Sequence, residues 1–200
     1  FLRLVLVLLT NTIYRLRIVG QQQVPVTGGA LLVPNHISFI DGFLLIASLD
    51  RPIRFVVDAQ YVNHRLFKPF MRALQVIPIS SAGGPRVILR ALREAGHALD
   101  AGDLVCIFPE GQITRTGNLL PFRRGFERIV KGRAVPVLPV HLDRVWGSIF
   151  SCVGGRFVTK WPERVPYPVT VSFGTPVPAE TPAHELRRLE QRIRRPRIEP

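Results

Sequence analysis

Residues 30–57 read ALLVPNHISFIDGFLLIASLDRPIRFVV, and this stretch decides the fold. Ala30–Val33 is a short apolar run that predicts a buried strand, and Gly42–Leu49 is an apolar run that predicts a helix. Ile53–Val57 follows as a second strand-like run. A strand, a helix and another strand in succession are typical of a domain that alternates the two elements around a parallel sheet.

The same alternation continues along the rest of the chain. Further helices are predicted at Leu66–Leu74, Pro85–Leu99, Phe122–Lys131 and Ala183–Arg194, and further strands at Val76–Ile79, Asp103–Phe108, Val135–Val140 and Val169–Phe173. We therefore expect an α/β fold in which helices flank a mostly parallel central sheet. In such a sheet the active site should lie in loops at the carboxyl ends of the strands.

The first 19 residues hold the longest apolar stretch, but arginines interrupt it and no uncharged run is long enough to span a bilayer. Apolar residues recur there at steps of three and four, which predicts an amphipathic helix. Its apolar face would carry Leu2, Leu6, Leu9, Ile13 and Leu16, with Arg3, Thr10 and Arg17 on the opposite side. This pattern favours a helix in a membrane interface, with a helix packed on the core as the alternative.

The composition is strongly basic, with 27 Lys and Arg residues against 14 Asp and Glu residues and a net charge of +13. Such a surplus favours a polyanionic partner, whether nucleic acid, an anionic membrane surface or an acidic protein. A coding bias toward arginine would produce the same surplus. The chain lacks the interleaved aromatic and basic pattern of a single-strand binder and any recognition-helix motif, so we expect no nucleic-acid partner.

Cys106 and Cys152 are the only cysteines in the sequence. Cys106 lies inside the apolar run LVCIF, which is typical of a buried thiol. The sequence has no disulfide framework and no zinc-binding spacing, which favours a reducing compartment and predicts no metal site. No Gly-x-Ser-x-Gly elbow surrounds Ser38, so a serine hydrolase is not predicted.

The loop after the first strand of the opening stretch reads PNHISFID over residues 34–41. A histidine just past a buried strand, with an aspartate five residues later, predicts a catalytic base and its orienting partner. Asp41 would hold one nitrogen of His36, and the other nitrogen would take a proton from a hydroxyl. In the alternative, Asp41 caps the following helix and Asn35 serves a turn.

The loop after the strand at Asp103–Phe108 reads PEGQITRTG over residues 109–117. Its glycines permit tight turns and close ligand approach, and Arg115 with the nearby hydroxyls predicts contacts to phosphate oxygens. Arg123 and Arg124 add positive charge at the start of the next predicted helix. A solvated loop with a surface arginine is the alternative.

Three motifs stand in the order and spacing of a known signature. They are Asn35-His36 with Asp41, Phe108-Pro109-Glu110-Gly111 with Arg115, and Val135-Pro136-Val137-Leu138-Pro139. Together they resemble the glycerolipid acyltransferase family, which carries the HX4D motif, over residues 15–175. The resemblance implies the fold of that family and neither a metal nor an organic cofactor.

The resemblance implies a role for each motif. His36 would be the general base and Asp41 its orienting partner, and the acceptor hydroxyl would attack the thioester carbonyl directly. Glu110, Gly111 and Arg115 would help to bind the glycerol phosphate. The third motif would shape the acyl-chain side of the pocket through Val135, Pro136, Val137 and Pro139. The acyl donor would be acyl-acyl carrier protein or acyl-coenzyme A.

One block departs from the family pattern, which usually carries a phosphate-binding arginine near Gly-x-x-Phe-Ile. The matching stretch here, residues 74–81, reads LQVIPISS and has no arginine. The departure favours a phosphodiester acceptor such as lysophosphatidylethanolamine over the doubly charged lysophosphatidic acid, which is the alternative. Arg86 or Arg90 in the following helix would compensate for the missing cation.

Two longer stretches narrow the resemblance. FPEGQITRTG at residues 108–117 and HLDRVWGSIF at residues 141–150 are similar to the acyltransferase domain of bacterial bifunctional enzymes that join 2-acylglycerophosphoethanolamine acyltransferase to an acyl-acyl carrier protein synthetase. This implies phospholipid remodelling at the cytoplasmic face of the inner membrane, with a synthetase domain after Pro200. An acidic carrier protein would also suit the basic surface. A non-enzymatic, membrane-binding module of this fold is a distant alternative.

These patterns divide the chain into three expected segments. Residues 1–19 would be the membrane-interface helix, residues 20–178 the catalytic domain, and residues 179–200 a basic C-terminal helix or linker. The last segment would add contacts to lipid headgroups through Arg187, Arg188, Arg192, Arg194 and Arg195.

Overall fold

A seven-stranded sheet runs through the computed structural model, which describes residues 2–62, 64–65, 68–80, 82–152 and 165–193. In chain order the strands are β1 Tyr14–Val19, β2 Ala30–Pro34, β3 Ile53–Asp58, β4 Ile77–Ile79, β5 Leu104–Cys106, β6 Val137–Asp143 and β7 Tyr167–Phe173. They lie in the order β1-β7-β6-β2-β5-β3-β4, and among these strands only β6 and β7 pair antiparallel. The predicted α/β fold with a mostly parallel sheet is therefore confirmed.

Helices cover both faces of this sheet. They are α1 Leu2–Ile13, α2 Asp41–Ser48, α3 Ala59–Val62, α4 Lys68–Ala73, α5 Gly84–Asp100, α6 Gly125–Val130 and α7 Ala183–Ile193. Helices α1 and α2 bury apolar side chains such as Leu6 and Leu44 in one core layer. Helices α5, α6 and α7 bury Leu92, Phe126 and Leu186 in the other. Because both faces are covered, the neighbouring central strands β2 and β5 are apolar throughout.

Strand β2 is buried on both of its faces, and it pairs with β5. Ala30 and Leu32 pack into one core layer and Leu31 and Val33 into the other, and all four side chains are fully buried. Leu32 is in register with Cys106 of β5, which runs parallel to it. Since the two neighbouring strands end at the same level, the loops after them meet at one edge of the sheet.

The predicted helix over residues 1–19 is too long, because α1 ends at Ile13 and Tyr14–Val19 forms β1. Strand β1 pairs in parallel with β7 and buries the side chain of Tyr14. Apolar and basic residues alternate along this segment, so its pattern fits both a helical and a strand period. The pairing with β7, far along the chain, selects the extended conformation.

Helix α1 packs against α2 and turns Leu6 and Thr10 inward, where both are buried. Leu4 and Leu8 point outward and are 61% and 59% exposed. The predicted placement of Thr10 opposite Leu6 is therefore wrong, because residues four apart share one face of a helix. Among the described residues, no helix combines the length and the hydropathy that a membrane span requires.

Several predicted elements have different bounds in the structure. Strand β5 is shorter than the predicted run Asp103–Phe108, and α6 begins at Gly125 rather than Phe122. Strand β6 begins at Val137 and continues beyond Val140, because its last residues pair with β7. Helix α3 has no counterpart in the prediction. Apart from α3, these differences lie at the ends of elements, where local periodicity carries the least information.

The C-terminal helix is part of the packed domain. In α7 the side chains of Ala183, Leu186 and Glu190 are buried, and the helix contacts β6. The expected C-terminal helix is therefore present, and it packs against the sheet. Leu66 of one predicted helix and Arg194 and Arg195 of the last segment lie outside the described residues.

Candidate active site

The loop after β2 folds back so that His36 meets Asp41. The imidazole Nδ1 lies 2.9 Å from Asp41 Oδ2, and the same oxygen accepts the backbone N–H groups of Ile37 at 2.7 Å and Ser38 at 2.9 Å. Asp41 is the first residue of α2, yet among the described residues its carboxylate bonds only to groups that precede the helix. The predicted contact between His36 and Asp41 is present, whereas the alternative in which Asp41 caps the helix is not.

The contact with Asp41 selects one tautomer of His36. A carboxylate only accepts hydrogen bonds, so Nδ1 of the imidazole carries the proton and Nε2 of the neutral ring holds a lone pair. No hydrogen bond joins Nε2 to another residue in the described part of the chain. The histidine side chain is 20% exposed, while Asp41 is fully buried. This imidazole can take a proton from a hydroxyl that approaches from outside.

The ring of Phe108 lies on the imidazole. The two ring centroids are 4.0 Å apart, with 21° between the ring planes. Phe108 follows β5, so a second strand of the sheet contributes to the position of His36. Asp41 holds the imidazole at its edge and Phe108 covers one face, which leaves the ring little freedom to rotate.

Asn35 ties the same loop to β6. Its amide oxygen accepts the backbone N–H of Leu142 at 2.7 Å, and its amide nitrogen donates to the carbonyl of Leu142 at 3.1 Å. The side chain is 3% exposed, so water cannot easily replace these bonds. The sequence suggests only that Asn35 serves a turn. In the structure its side chain instead binds the backbone of a residue 107 positions away.

Glu110 joins the two predicted loops. One carboxylate oxygen accepts the N–H of His36 at 2.6 Å, and the other accepts the N–H of Leu120 at 2.7 Å. The backbone N–H of Thr114 adds a further tie by donating to the carbonyl of His36 at 2.9 Å. Burial raises the pKa of Glu110 to about 7, although the two N–H donors lower it. With both oxygens used and 3% exposure, the side chain fits a positioning role rather than direct substrate contact.

Gly111 is needed for its backbone angle and for its lack of a side chain. Its φ is +70°, a region that favours glycine, and a Cβ at this position would lie 2.9 Å from Nε of Arg123. Arg123 also donates its backbone N–H to the carbonyl of Pro109 at 2.8 Å. The second loop therefore folds so that Arg123 lies directly over Gly111.

The predicted phosphate-binding arginines are at the surface. Arg86, Arg115 and Arg123 are exposed, and none forms an ion pair with another described residue. Arg124 is 85% exposed and pairs with a glutamate of its own helix at 2.8 Å. Arg115 and Arg123 belong to the loop region around Gly111, while Arg86 lies in the first turn of α5.

The third motif lies in the core. Val137 of β6 is fully buried in the layer formed by α5, α6 and α7, and Val135 packs at the edge of that layer. The carbonyl of Pro136 accepts the N–H of Leu31 at 3.0 Å, and Pro139 is buried within β6. The prediction that these residues shape an acyl pocket is therefore not supported, because they hold β6 against β2.

Aromatic side chains form an apolar surface beside the His36 loop. Phe39, in this loop, is 42% exposed and lies edge-on to Tyr61 with ring centroids 6.0 Å apart. Phe43, in the first turn of α2, stacks on Phe70 of α4 with centroids 5.5 Å apart. These residues come from separate elements, so no sequence motif brings them together.

A cavity of about 130 Å³ borders the two loops. Its lining includes Asn35, Glu110, Arg144 and a second histidine–carboxylate pair, His141 with Glu190. Nδ1 of His141 bonds to one oxygen of Glu190, and both side chains are buried. The sequence prediction missed this pair, because its members are 49 residues apart and neither belongs to a motif with a chemical role.

Neither cysteine takes part in the site. Cys106 and Cys152 are both free and buried, which confirms the prediction for Cys106. Burial raises the pKa of the Cys106 thiol well above its ordinary value, so this group is a poor nucleophile. Among the described residues, no group of three or more His, Cys, Asp or Glu side chains is placed to hold a metal ion.

Sequence comparisons match the chain to proteins of one class. A sequence model of the family described as acyltransferase matches residues 15–143. The chain is 25% identical over 149 residues to a 1-acyl-sn-glycerol-3-phosphate acyltransferase of Cocos nucifera, covering 74% of this chain and 46% of that protein. It is also 25% identical over 166 residues to a probable 1-acyl-sn-glycerol-3-phosphate acyltransferase of Mycoplasma pneumoniae, covering 80% and 60%. The chain thus spans about half the length of such relatives.

A solved structure shares the fold. The crystal structure of the 1-acyl-sn-glycerophosphate acyltransferase PlsC from Thermotoga maritima superposes with a TM-score of 0.73 at 20% sequence identity. The match covers 96% of this chain and 78% of the other. At this identity the comparison supports the fold alone.

Proposed function

The chain belongs to the acyltransferase family, and on that premise we propose that it transfers a fatty acyl group from a thioester to the free hydroxyl of a lysophospholipid. The observation that carries the proposal is the pair of His36 and Asp41. It presents an imidazole with Nδ1 bound to a buried carboxylate and Nε2 available as a proton acceptor. This arrangement suits general-base catalysis on a hydroxyl.

In the proposed reaction, Nε2 of His36 takes the proton of the acceptor hydroxyl as its oxygen attacks the thioester carbonyl. The C–O bond forms, the carbonyl oxygen gains negative charge, and the intermediate collapses with cleavage of the C–S bond. The imidazolium then returns its proton to the departing thiolate, and an ester and a thiol result. No acyl-enzyme forms, because the lipid hydroxyl is itself the nucleophile.

Asp41 supports this reaction by its charge and its rigidity. The imidazolium formed during proton transfer would lie 2.9 Å from the buried carboxylate, which favours the charged ring. Two backbone N–H groups hold the same oxygen in place, so the carboxylate does not need to reorient during the reaction.

The aromatic surface beside His36 supports an acyl-chain role. Phe39 and Tyr61 are 42% and 40% exposed, and Phe43 and Phe70 stack on each other in partly buried positions. Apolar surface of this kind near a catalytic histidine favours a hydrocarbon chain over water. We assign the acyl side of the site to these four residues, with acyl carrier protein or coenzyme A as the thioester donor.

Two acceptors are proposed, each on a separate observation. The names of the relatives favour 1-acylglycerol-3-phosphate, a phosphomonoester. The absence of arginine in residues 74–81 favours a phosphodiester, and the resemblance to bifunctional enzymes specifies 2-acylglycerophosphoethanolamine. Arg115 and Arg123 are exposed and lie in the loop region around Gly111. They would bind the phosphate of either acceptor.

The assay uses the purified chain with acyl-coenzyme A or acyl-acyl carrier protein and a panel of lysophosphatidic acid, lysophosphatidylethanolamine and lysophosphatidylglycerol. We expect His36→Ala to reduce the rate by about 100-fold or more, since it removes the base. His184→Ala is the matched control, because His184 is exposed on α7. Undiminished transfer by His36→Ala would contradict the mechanism, and a null result on every acceptor would favour a membrane-binding module. The acceptor that dominates in the wild type decides between the two candidates.

We place the enzyme at the cytoplasmic face of the inner membrane, as a peripheral domain or as part of a larger protein. The exposed Leu4 and Leu8 of α1 support contact with the lipid, and the net charge of +13 supports an anionic surface. From the resemblance alone, we also propose that an acyl-acyl carrier protein synthetase domain is fused to this chain. The sequence of the full-length gene product tests it directly.

A further inference from the structure

We propose that Arg187 and Glu190, on the C-terminal helix α7, are positioning residues for His36. The inference rests on the proposed function, in which His36 is the base. Two separate chains of hydrogen bonds lead from α7 to the backbone around this histidine. The sequence offers Arg187 only as one cation of a basic segment, and it offers no role for Glu190.

The first chain of bonds starts at the guanidinium of Arg187. Its Nε donates to the carbonyl of Leu120 at 3.1 Å, and its Nη2 donates to the carbonyl of Leu119 at 3.0 Å. The N–H of the same Leu120 donates to one oxygen of Glu110, whose other oxygen accepts the N–H of His36. Arg187 therefore fixes the peptide that holds Glu110, and Glu110 fixes the backbone of the base.

The second chain of bonds starts at the carboxylate of Glu190. One oxygen bonds to Nδ1 of His141 near the end of β6. The next residue, Leu142, exchanges two hydrogen bonds with the side chain of Asn35, which directly precedes His36. Glu190 is 1% exposed and Asn35 is 3% exposed, so both ends of this path are buried.

The two paths converge on one dipeptide, Asn35-His36. The first holds the N–H of His36, and the second holds the side chain before it. The contacts of Arg187 span 67 and 68 residues, and that of Glu190 spans 49. Helix α7 is thus linked to the site through these two side chains, and among the described residues it forms no hydrogen bond to the imidazole of His36.

A role limited to stability would give a different result from a positioning role. A residue that only stabilises the fold lowers the melting temperature and leaves the turnover of the folded enzyme unchanged. A positioning residue changes kcat while the KM for the acceptor stays the same, because the base is misplaced rather than the substrate released. The comparison therefore needs both constants, measured well below the melting temperature of each variant.

Arg187→Ala removes two hydrogen bonds, and Glu190→Gln removes the charge from the bond to His141. We expect each substitution to lower kcat by about 10-fold, because bonds that involve a charged group are stronger than neutral ones. The KM for the acceptor should change by less than about twofold. Arg93→Ala is the matched control, since it removes the same charge from an exposed position of α5 and Arg93 has no role in the proposed site. Unchanged kcat in both folded variants would overturn the proposal, as would an equal loss in Arg93→Ala.

A double-mutant comparison separates the two paths. In a Glu110→Gln background the first path is already broken, so Arg187→Ala should cost less than about twofold there, whereas Glu190→Gln should keep its about 10-fold effect. Equal and additive losses for both substitutions in both backgrounds would contradict the proposed route through Glu110. Arg187→Lys serves as a second variant if Arg187→Ala does not fold, because lysine cannot reach both carbonyls in the arginine geometry.

Nitrogen-15 NMR of the histidine side chains tests the proposal without an activity assay. In the wild type the His36 signals should show the proton on Nδ1, as its bond to Asp41 requires. We expect the His36 signals to shift or broaden in Arg187→Ala and in Glu190→Gln, and to stay the same in Arg93→Ala. Unchanged His36 signals in both test variants would overturn the proposal even if the wild type transferred no acyl group, so this failure is distinct from failure of the proposed function.

Discussion

The backbone N–H of His36 donates to the carboxylate of Glu110 at 2.6 Å. This bond joins the loops that follow β2 and β5, two parallel strands that end at the same edge of the sheet. The other oxygen of Glu110 binds the N–H of Leu120, so a single buried side chain sets the separation of the two loops. The position of the base thus depends on a residue that the family resemblance assigns to substrate binding.

Replacing Asp41 with asparagine should lower kcat by about 100-fold to 10,000-fold. The amide oxygen can still accept a hydrogen bond, but the charge that favours the imidazolium is lost. Steady-state acyl transfer with circular dichroism as a check on folding measures the effect. Asp100→Asn is the control, because Asp100 is half-exposed and forms a surface ion pair with Arg133. A rate within about twofold of wild type for Asp41→Asn would contradict the proposed role.

Glu110 should make the stability of the protein fall as the pH rises. Its pKa is about 7 in the folded state and has an ordinary value of 4.5, so the folded protein holds an extra proton between these two pH values. The stabilising contribution is therefore complete below pH 4.5 and is lost as the pH rises through 7, by about 3 kcal/mol in total.

Urea unfolding of wild type and Glu110→Gln at a series of pH values measures this dependence. The free energy of unfolding of the wild type should decline relative to that of the variant between pH 4.5 and 7. Parallel curves for the two proteins would show that Glu110 is not the group that titrates.

Gly111→Ala should impair acyl transfer, whereas Gly132→Ala should not. Both glycines have a positive φ, +70° and +72°, so alanine costs about 1 kcal/mol of backbone strain at either position. Only at Gly111 would the new Cβ also meet Arg123, at 2.9 Å from its Nε, while nothing lies within 4 Å at Gly132. We expect similar losses of stability and a loss of activity in Gly111→Ala alone. Equal activity in the two variants would contradict a role for the contact between Arg123 and Gly111.

Substituting Leu4 and Leu8 together with serine should weaken binding to vesicles of anionic phospholipid by about 10-fold or more. Each leucine is more than half exposed, and burial of a leucine side chain in lipid is worth about 2 kcal/mol. Co-sedimentation with phosphatidylglycerol vesicles measures the binding. Val26→Ser is the control, since Val26 is 85% exposed and lies outside α1. If the double variant and the wild type bound the vesicles with the same affinity, the proposed contact of α1 with the membrane would be contradicted.

The sequence alone determined the features that depend on neighbouring residues. The apolar runs at Ala30–Val33 and Ile53–Val57, with a helix between them, predicted the parallel sheet because the periodicity of each run is local. His36 and Asp41 are five residues apart, so one turn of the loop brings them together. These predictions did not depend on the tertiary contacts of more distant residues.

Only the tertiary structure decided the features that depend on distant partners. Residues 14–19 fit a helix by their pattern and form a strand because β7 pairs with them. The family motif predicts that Glu110 binds glycerol phosphate. In the structure Glu110 instead accepts the N–H of His36, which lies 74 residues earlier in the chain. The roles of Arg187 and Glu190 arise in the same way, from hydrogen bonds between elements that meet only after the sheet has formed. Periodicity and motif spacing describe the chain locally, and they carry no information about which distant polar groups burial will bring together.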